Sequence, residues 1–192
     1  MRNAKEYYQN SIMHNKPSLL LLKFFQNRYN EKLNGNIAID IGCGAGNDTL
    51  YLLENGYKVT AIDGDVQVKE LIENRGENNE NLNIVIGDFS KLELHKADLI
   101  FANFSLFFVR KNFDEFMKNL MENVNQSGFF VGNFLGKEDD WINSKTTVDK
   151  DELLAYFKDF RVCYFSEEKY HKDGLTKKDK FWHVYTIIAQ KR

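Results

Sequence analysis

The sequence predicts an α/β fold: a doubly wound, mostly parallel sheet of seven strands with an antiparallel last strand. Three observations predict it. Short apolar runs alternate with helical stretches from Ile37 to Phe157. The first run, Ile37 to Ile41, leads into a glycine-rich turn, Gly42-Cys43-Gly44-Ala45-Gly46, and then a helix. The last two runs are joined by a polar stretch without helical periodicity, so they pair as an antiparallel hairpin.

Taken in order, residues 1–16 are polar with Tyr7, Tyr8, Ile12 and Met13 embedded, and read as a short helix or ordered arm. Pro17 and Ser18 open a helix bearing Leu19, Leu20, Leu22, Phe24 and Phe25, expected to end near Asn34-Gly35. Residues 1–34 are thus a helical arm, and residues 35–192 a core ending in a β-hairpin, together one domain. After the first strand, Asn47 and Asp48 are candidate caps for a helix that stops at Asn55-Gly56. Tyr57 to Ile62 is the second strand, ending in Asp63, and Asp65 caps a helix with Val68, Leu71 and Ile72 on one face. Leu82 to Ile86 and Ala97 to Ala102 are strands three and four. Phe113, Phe116, Met117, Leu120, Met121 and Val124 mark an amphipathic helix, and Phe129 to Phe134 is the fifth strand. Asp149 and Glu152 have capping-box spacing before Leu153, Leu154 and Phe157. Arg161 to Phe165 and Phe181 to Ala189 are strands six and seven, about fifteen polar residues apart.

Composition narrows the function. The chain has 192 residues, 43% of them hydrophobic, enough for one full core. A net charge of −2 gives no global basic field for nucleic acid. No apolar run approaches a membrane span, and the start lacks a signal-peptide core. Two cysteines, Cys43 and Cys163, make no disulfide framework, so the expected location is cytoplasmic.

Three successive strand tips carry the site. Asp40-Ile-Gly-Cys-Gly-Ala-Gly46 follows strand one, Asp63-Gly64 strand two and Gly87-Asp88-Phe89 strand three. Each element alone has an ordinary structural reading, as a turn, a cap or, for Cys43, a small filler. Together they resemble the class I S-adenosylmethionine (SAM) dependent methyltransferases, and the likeness covers nearly the whole chain. The resemblance implies a Rossmann-like fold with SAM as cofactor and no metal. It implies that Gly42, Cys43, Gly44 and Gly46 line the methionine portion and that Asp40 helps hold its ammonium. Asp63, with Gly64, would accept from the ribose hydroxyls; Asp88 would bind the adenine amino group, with Phe89 on the ring. Asn103, past strand four, would lie beside the sulfonium. A nicotinamide-dependent dehydrogenase is the competing reading, but its G-x-G-x-x-G has the third glycine one residue later.

The acceptor side is less specific. Asn103-Phe104-Ser105-Leu106 departs from the Asn-Pro-Pro-aromatic pattern of amino methyltransferases. Candidates there are Tyr8, Phe104, Ser105, Trp141, His171 and Trp182, with His183 the candidate proton acceptor. For each, packing or a solvated loop is the competing account. Ala97–Leu106, Gly128–Gly136 and Trp182-His183 look like the bacterial tellurite-resistance-type methyltransferases. That likeness implies a small acceptor, a metalloid or a small organic molecule. The alternatives are an RNA or protein methyltransferase, or a SAM-binding module without catalysis. Lys177, Lys178, Lys180, Lys191 and Arg192 form the only basic cluster singled out for RNA, and it reads better as a solvated face. Oligomeric state has no signal in the sequence.

Overall fold

The computed structural model describes residues 4–76, 79–174 and 178–192. The elements are α1 (Ala4–His14), α2 (Leu19–Gln26), β1 (Ile37–Ile41), α3 (Asn47–Glu54), β2 (Lys58–Asp63), α4 (Gln67–Gly76), β3 (Leu82–Ile86), β4 (Ala97–Ala102), α5 (Phe113–Asn123), β5 (Val124–Gly136), β6 (Thr147–Val148), α6 (Lys150–Ala155), β7 (Phe160–Lys172) and β8 (Lys180–Lys191).

Strand order is β3-β2-β1-β4-β5-β8-β7, with β6 added beside β5. Only β8 runs against its neighbours, pairing Leu135 with Val184 on one side and Lys169 with His183 on the other. The chain winds outward from β1 to β3 and then returns to β4 on the other side of β1. That reversal places the ligand crevice at the carboxyl ends of β1 and β4.

Alternation along buried strands sends side chains to two cores. Ile39, Ile100, Phe130, Phe134 and Ile187 pack with Phe116, Leu120 and Phe157 of the α5–α6 side. Ala38, Leu99, Phe101, Val131 and Ile188 pack with Leu21, Phe24 and Leu52 of α2 and α3. Phe130 is fully buried between neighbouring aromatic rings, so its loss would cost about 3–5 kcal/mol.

Several expectations need correction. The helix opened by Ser18 ends at Gln26 rather than near Asn34-Gly35. Arg28 takes a φ of +57°, and Tyr29 and Arg28 donate back to Phe24 O and Phe25 O, closing a Schellman turn. Asn47 and Asp48 are not caps, because Gly46, at φ +80°, occupies the cap position of α3. The seven expected strands form the sheet, and among the described residues Thr147–Val148 adds a short eighth in parallel to Leu135 and Gly136. Most of the polar stretch expected between the last two strands is itself strand: β7 reaches Lys172, and the ladder extends to a Lys172–Lys180 pair. The basic cluster also dissolves. Lys180 is fully buried, and Lys191 Nζ donates to the carbonyls of Met121, Glu122 and Val124. Lys177 lies outside the described residues.

Candidate active site

The glycine loop is held by its own backbone. Gly42 N and Cys43 N both donate to Ile62 O, at 2.7 and 3.1 Å, tying the loop to the tip of β2. Gly42 has φ +72°, and a Cβ there would lie 2.2 Å from Ser105 Cβ, so only glycine lets the β1 and β4 tips meet. A Cβ at Gly46 would strike Ile72 at 2.6 Å, which seats the loop on α4. Gly44 differs: nothing lies nearer to its Cβ position than Tyr8 Cε1 at 3.9 Å. The loop is packed from behind at Gly42 and Gly46 and has space over Gly44.

Three carboxylates lie near one another around this loop, with Asp40 close to both of the others. Asp40, almost fully buried, accepts from Thr49 Oγ1 at 2.6 Å. Burial, with Asp48 and then Asp63 nearby, pushes its pKa up to about 8 despite that bond. Burial also pushes Asp48 up to about 6, against the opposing effect of hydrogen bonds from Ser18, whose N–H is 2.6 Å away. Asp63 accepts from Gly44 N and Asp65 N, both at 2.9 Å, through separate oxygens. Each Asp63 oxygen keeps a second lone pair for a ligand. No cation among the described residues pairs with any of the three. A ligand with an ammonium group and a diol therefore fits this site, and SAM has both. Cys43 is no nucleophile, because burial and then the two acids Asp40 and Asp63 hold its thiol well above its ordinary pKa.

Farther along, Gly64 has no neighbour closer to its Cβ position than Gly87 O at 3.9 Å. Asp88 is exposed. One oxygen takes Ser90 N and Oγ, the other Lys91 Nζ at 2.9 Å, and these bonds lower its pKa. Phe89 packs on Phe116 with ring centres 6.1 Å apart. Asn103 is half-buried, and its side chain makes no hydrogen bond among the described residues.

On the acceptor side the residues divide. Phe104 sits at φ +52°, rare for a bulky side chain, held by its N–H on Asn133 Oδ1 at 3.0 Å. Its partly exposed ring meets Trp182 edge-on at 5.6 Å. Trp182 also meets Trp141 at 5.2 Å, and Lys180 Nζ lies 3.5 Å from the centre of its ring. Lys180 is itself ion-paired with buried Asp139 at 2.5 Å. Phe104, Trp141 and Trp182 thus form one aromatic wall. Tyr8 lies instead over the glycine loop, with its hydroxyl on Asp65. His171, mostly exposed near the hairpin end, has Nδ1 3.2 Å from Asp179.

Two acceptor-side expectations are corrected. Ser105 is buried and its hydroxyl donates to Ile41 O, because the missing Cβ of Gly42 draws it against β1. His183 is buried over Gly136, accepts from Glu138 N through Nδ1 at 3.2 Å, and so donates through Nε2 to Glu167 at 3.0 Å. With both ring nitrogens engaged it has no lone pair for a substrate proton. Sequence reasoning missed Asp48 as a site carboxylate, together with Asn133 and the Lys180–Asp139 pair. Only Asp48, beside the glycine loop, carried a signal that could have found it.

Comparison with known proteins follows the same division. Residues 39–132, from β1 into β5, match the family described as a methyltransferase domain. A probable S-adenosyl-L-methionine-dependent methyltransferase TehB from Haemophilus influenzae is 27% identical over 165 residues, 80% of this chain and 57% of that relative. The chain thus spans little more than half of TehB. The crystal structure of TehB from Haemophilus influenzae gives a TM-score of 0.70 at 23% identity, covering 83% of this chain and 58% of that one. An S-adenosylmethionine-dependent methyltransferase from Clostridium acetobutylicum gives 0.71 at 14% identity over 97% of both chains. At these identities the two structures speak for the shared fold.

Proposed function

We propose that this chain, a class I S-adenosylmethionine-dependent methyltransferase, methylates a small molecule seated against the Phe104–Trp141–Trp182 wall. SAM supplies an electrophilic methyl group on a sulfonium, so much of the protein's task is positioning. The observation that carries the reading is a set of neighbouring carboxylates, Asp40, Asp48 and Asp63, that no cation among the described residues balances, with Asp63 held on Gly44 N beside the loop's open face. Asp40 would hold the cofactor's ammonium, Asp63 its ribose, and Asp88 with Phe89 its adenine. Asn103, whose side-chain amide has no hydrogen-bond partner among the described residues, would orient the methyl donor or the acceptor.

The aromatic wall supports a small acceptor with an apolar or polarisable face, a small organic molecule or a metalloid. The dispersal of the basic cluster weighs against RNA. His171 is not placed for a proton acceptor at this wall, because it pairs with Phe181 and lies against that ring, on the face of β8 opposite Trp182. We assign the work to one domain, with arm 1–34 covering core 35–192. Both cysteines are unpaired, which agrees with a cytoplasmic place. Among the described residues, no helix is long and apolar enough to cross a membrane.

The test is to incubate the protein with methyl-labelled SAM and, separately, a metabolite extract, an RNA pool and a protein pool. Label in the metabolite fraction is expected. Label confined to RNA or protein would refute the small acceptor, and label nowhere despite cofactor binding would favour a binding module. Trp141 and Trp182 are the chain's two tryptophans, so indole emission reports directly on acceptors meeting the wall.

A further inference from the structure

Arg75, in the last turn of α4, gives its guanidinium to three neutral oxygens from three segments. Nη1 donates to the carbonyl of Ala45 inside the glycine loop. Nη2 donates to Asn15 Oδ1, just past α1, at 2.5 Å and to Asn47 Oδ1, at the start of α3, at 2.8 Å. No carboxylate pairs with it among the described residues, and burial lowers its pKa. It lines a cavity of about 510 Å³ between the arm, α3 and α4, shared with Asn15, Pro17, Asn47 and Glu54. An arginine without an acidic partner, fixed to three oxygens by its planar fork, is suited to hold a geometry.

The segments it joins are those that enclose the cofactor loop. Asn47 Nδ2 also donates to Ser11 O at 2.9 Å, and Tyr8 of α1 reaches across the space over Gly44 to Asp65. We infer that Arg75 is a positioning residue that couples closure of the N-terminal arm to the shape of the cofactor loop. One guanidinium sets both the Ala45 carbonyl and the end of the arm, so releasing either loosens the other. The coupling is reciprocal: a docked arm tightens cofactor binding, and bound cofactor protects the arm.

This rests on the cofactor reading, and the experiment separates the two. S-adenosylhomocysteine (SAH) is titrated by calorimetry into wild type, Arg75→Met, Asn15→Ala and the double variant. Amide exchange over residues 4–14 is followed with and without SAH. Arg75→Met should weaken SAH about tenfold or more, the loss of charge-assisted hydrogen bonds. Asn15→Ala, at an exposed position whose φ of +39° costs alanine a little at the end of α1, should weaken it roughly threefold. The double variant should bind no worse than Arg75→Met, because both act through one joint. SAH should slow exchange of the arm in wild type and fail to do so in Arg75→Met. Equal affinity in wild type and Asn15→Ala, additive losses, or an arm indifferent to SAH in wild type would overturn the inference alone. A folded wild type that binds no SAH would overturn the cofactor reading with it.

Discussion

The tips of β1 and β2 present carboxylates that no cation among the described residues balances, whereas the start of β8 holds buried Lys180 against Asp139 between two tryptophan rings. Both regions bury ionisable groups at the same end of the sheet. The first is electrostatically incomplete and gains its partner with the ligand. The second is complete within the protein and forms a fixed wall. The difference teaches that burial of charge marks a ligand site only where the partner is missing. A buried pair satisfied within the chain is scaffold.

Breaking the wall tests this contrast most severely. Lys180→Met leaves Asp139 buried without its cation and should lower unfolding free energy by about 3–5 kcal/mol. Chemical denaturation measures it, and tryptophan emission should shift as both rings lose the ammonium. SAH affinity of the folded variant should stay within about twofold, because the partners of Lys180 include Asp139, Phe181 and the two tryptophan rings, all away from the cofactor loop. A large loss of affinity would mean that the two regions are not separate.

Asp63→Ala is the converse. It should weaken SAH by about 1.5–3 kcal/mol, a charged acceptor lost from the ligand, while leaving the emission of both tryptophans unchanged. Unaltered binding in calorimetry would place the ribose elsewhere.

Titration sharpens the same distinction. Asp40, with its folded pKa raised to about 8, keeps a proton that the unfolded chain releases near pH 4. Its contribution to the stability of the unliganded protein therefore falls as pH rises from about 4 to about 8. A bound ammonium favours the carboxylate and expels that proton. SAH affinity should rise between about pH 6 and pH 8, by at most about tenfold per unit, and flatten above. Calorimetry in buffers of different ionisation enthalpy counts the released proton, and Asp40→Asn should abolish the part of the dependence near pH 8, leaving what Asp48, raised to about 6, contributes.

The smallest effect belongs to Phe104→Gly. Relief of the left-handed backbone, about 1–2 kcal/mol, offsets loss of the edge contact with Trp182, about 0.5–1.5 kcal/mol. Stability and SAH affinity should barely move, while indole emission and turnover of any identified acceptor change. A loss of SAH binding would assign Phe104 to the cofactor instead.

How much of this was readable from the sequence follows from the same contrast. The cofactor loop is legible because its demands are on the backbone: Gly42, Gly44 and Gly46 all take positive φ. Asp63 and Asp88 are legible because each follows an apolar run. The wall is not, because distant pairing makes it. Glu167 to Lys172 read as a polar loop, yet they form part of a strand at the sheet edge whose ladder to β8 supplies the order. Lys180 read as a surface cation until Asp139, 41 positions earlier, was brought against it. Ser105 read as a site hydroxyl because nothing local reveals that Gly42 leaves room for it to turn inward. Arg75 had no signal, since its partners are a carbonyl and two amides.

The central claim is that the carboxylates around the glycine loop, which no cation among the described residues balances, are completed by the cofactor. Calorimetric titration of the folded wild-type protein with SAH tests it most directly. The account predicts one equivalent bound, with proton release between about pH 6 and pH 8. Absence of binding by folded protein, or binding with no proton released in that range, would contradict it.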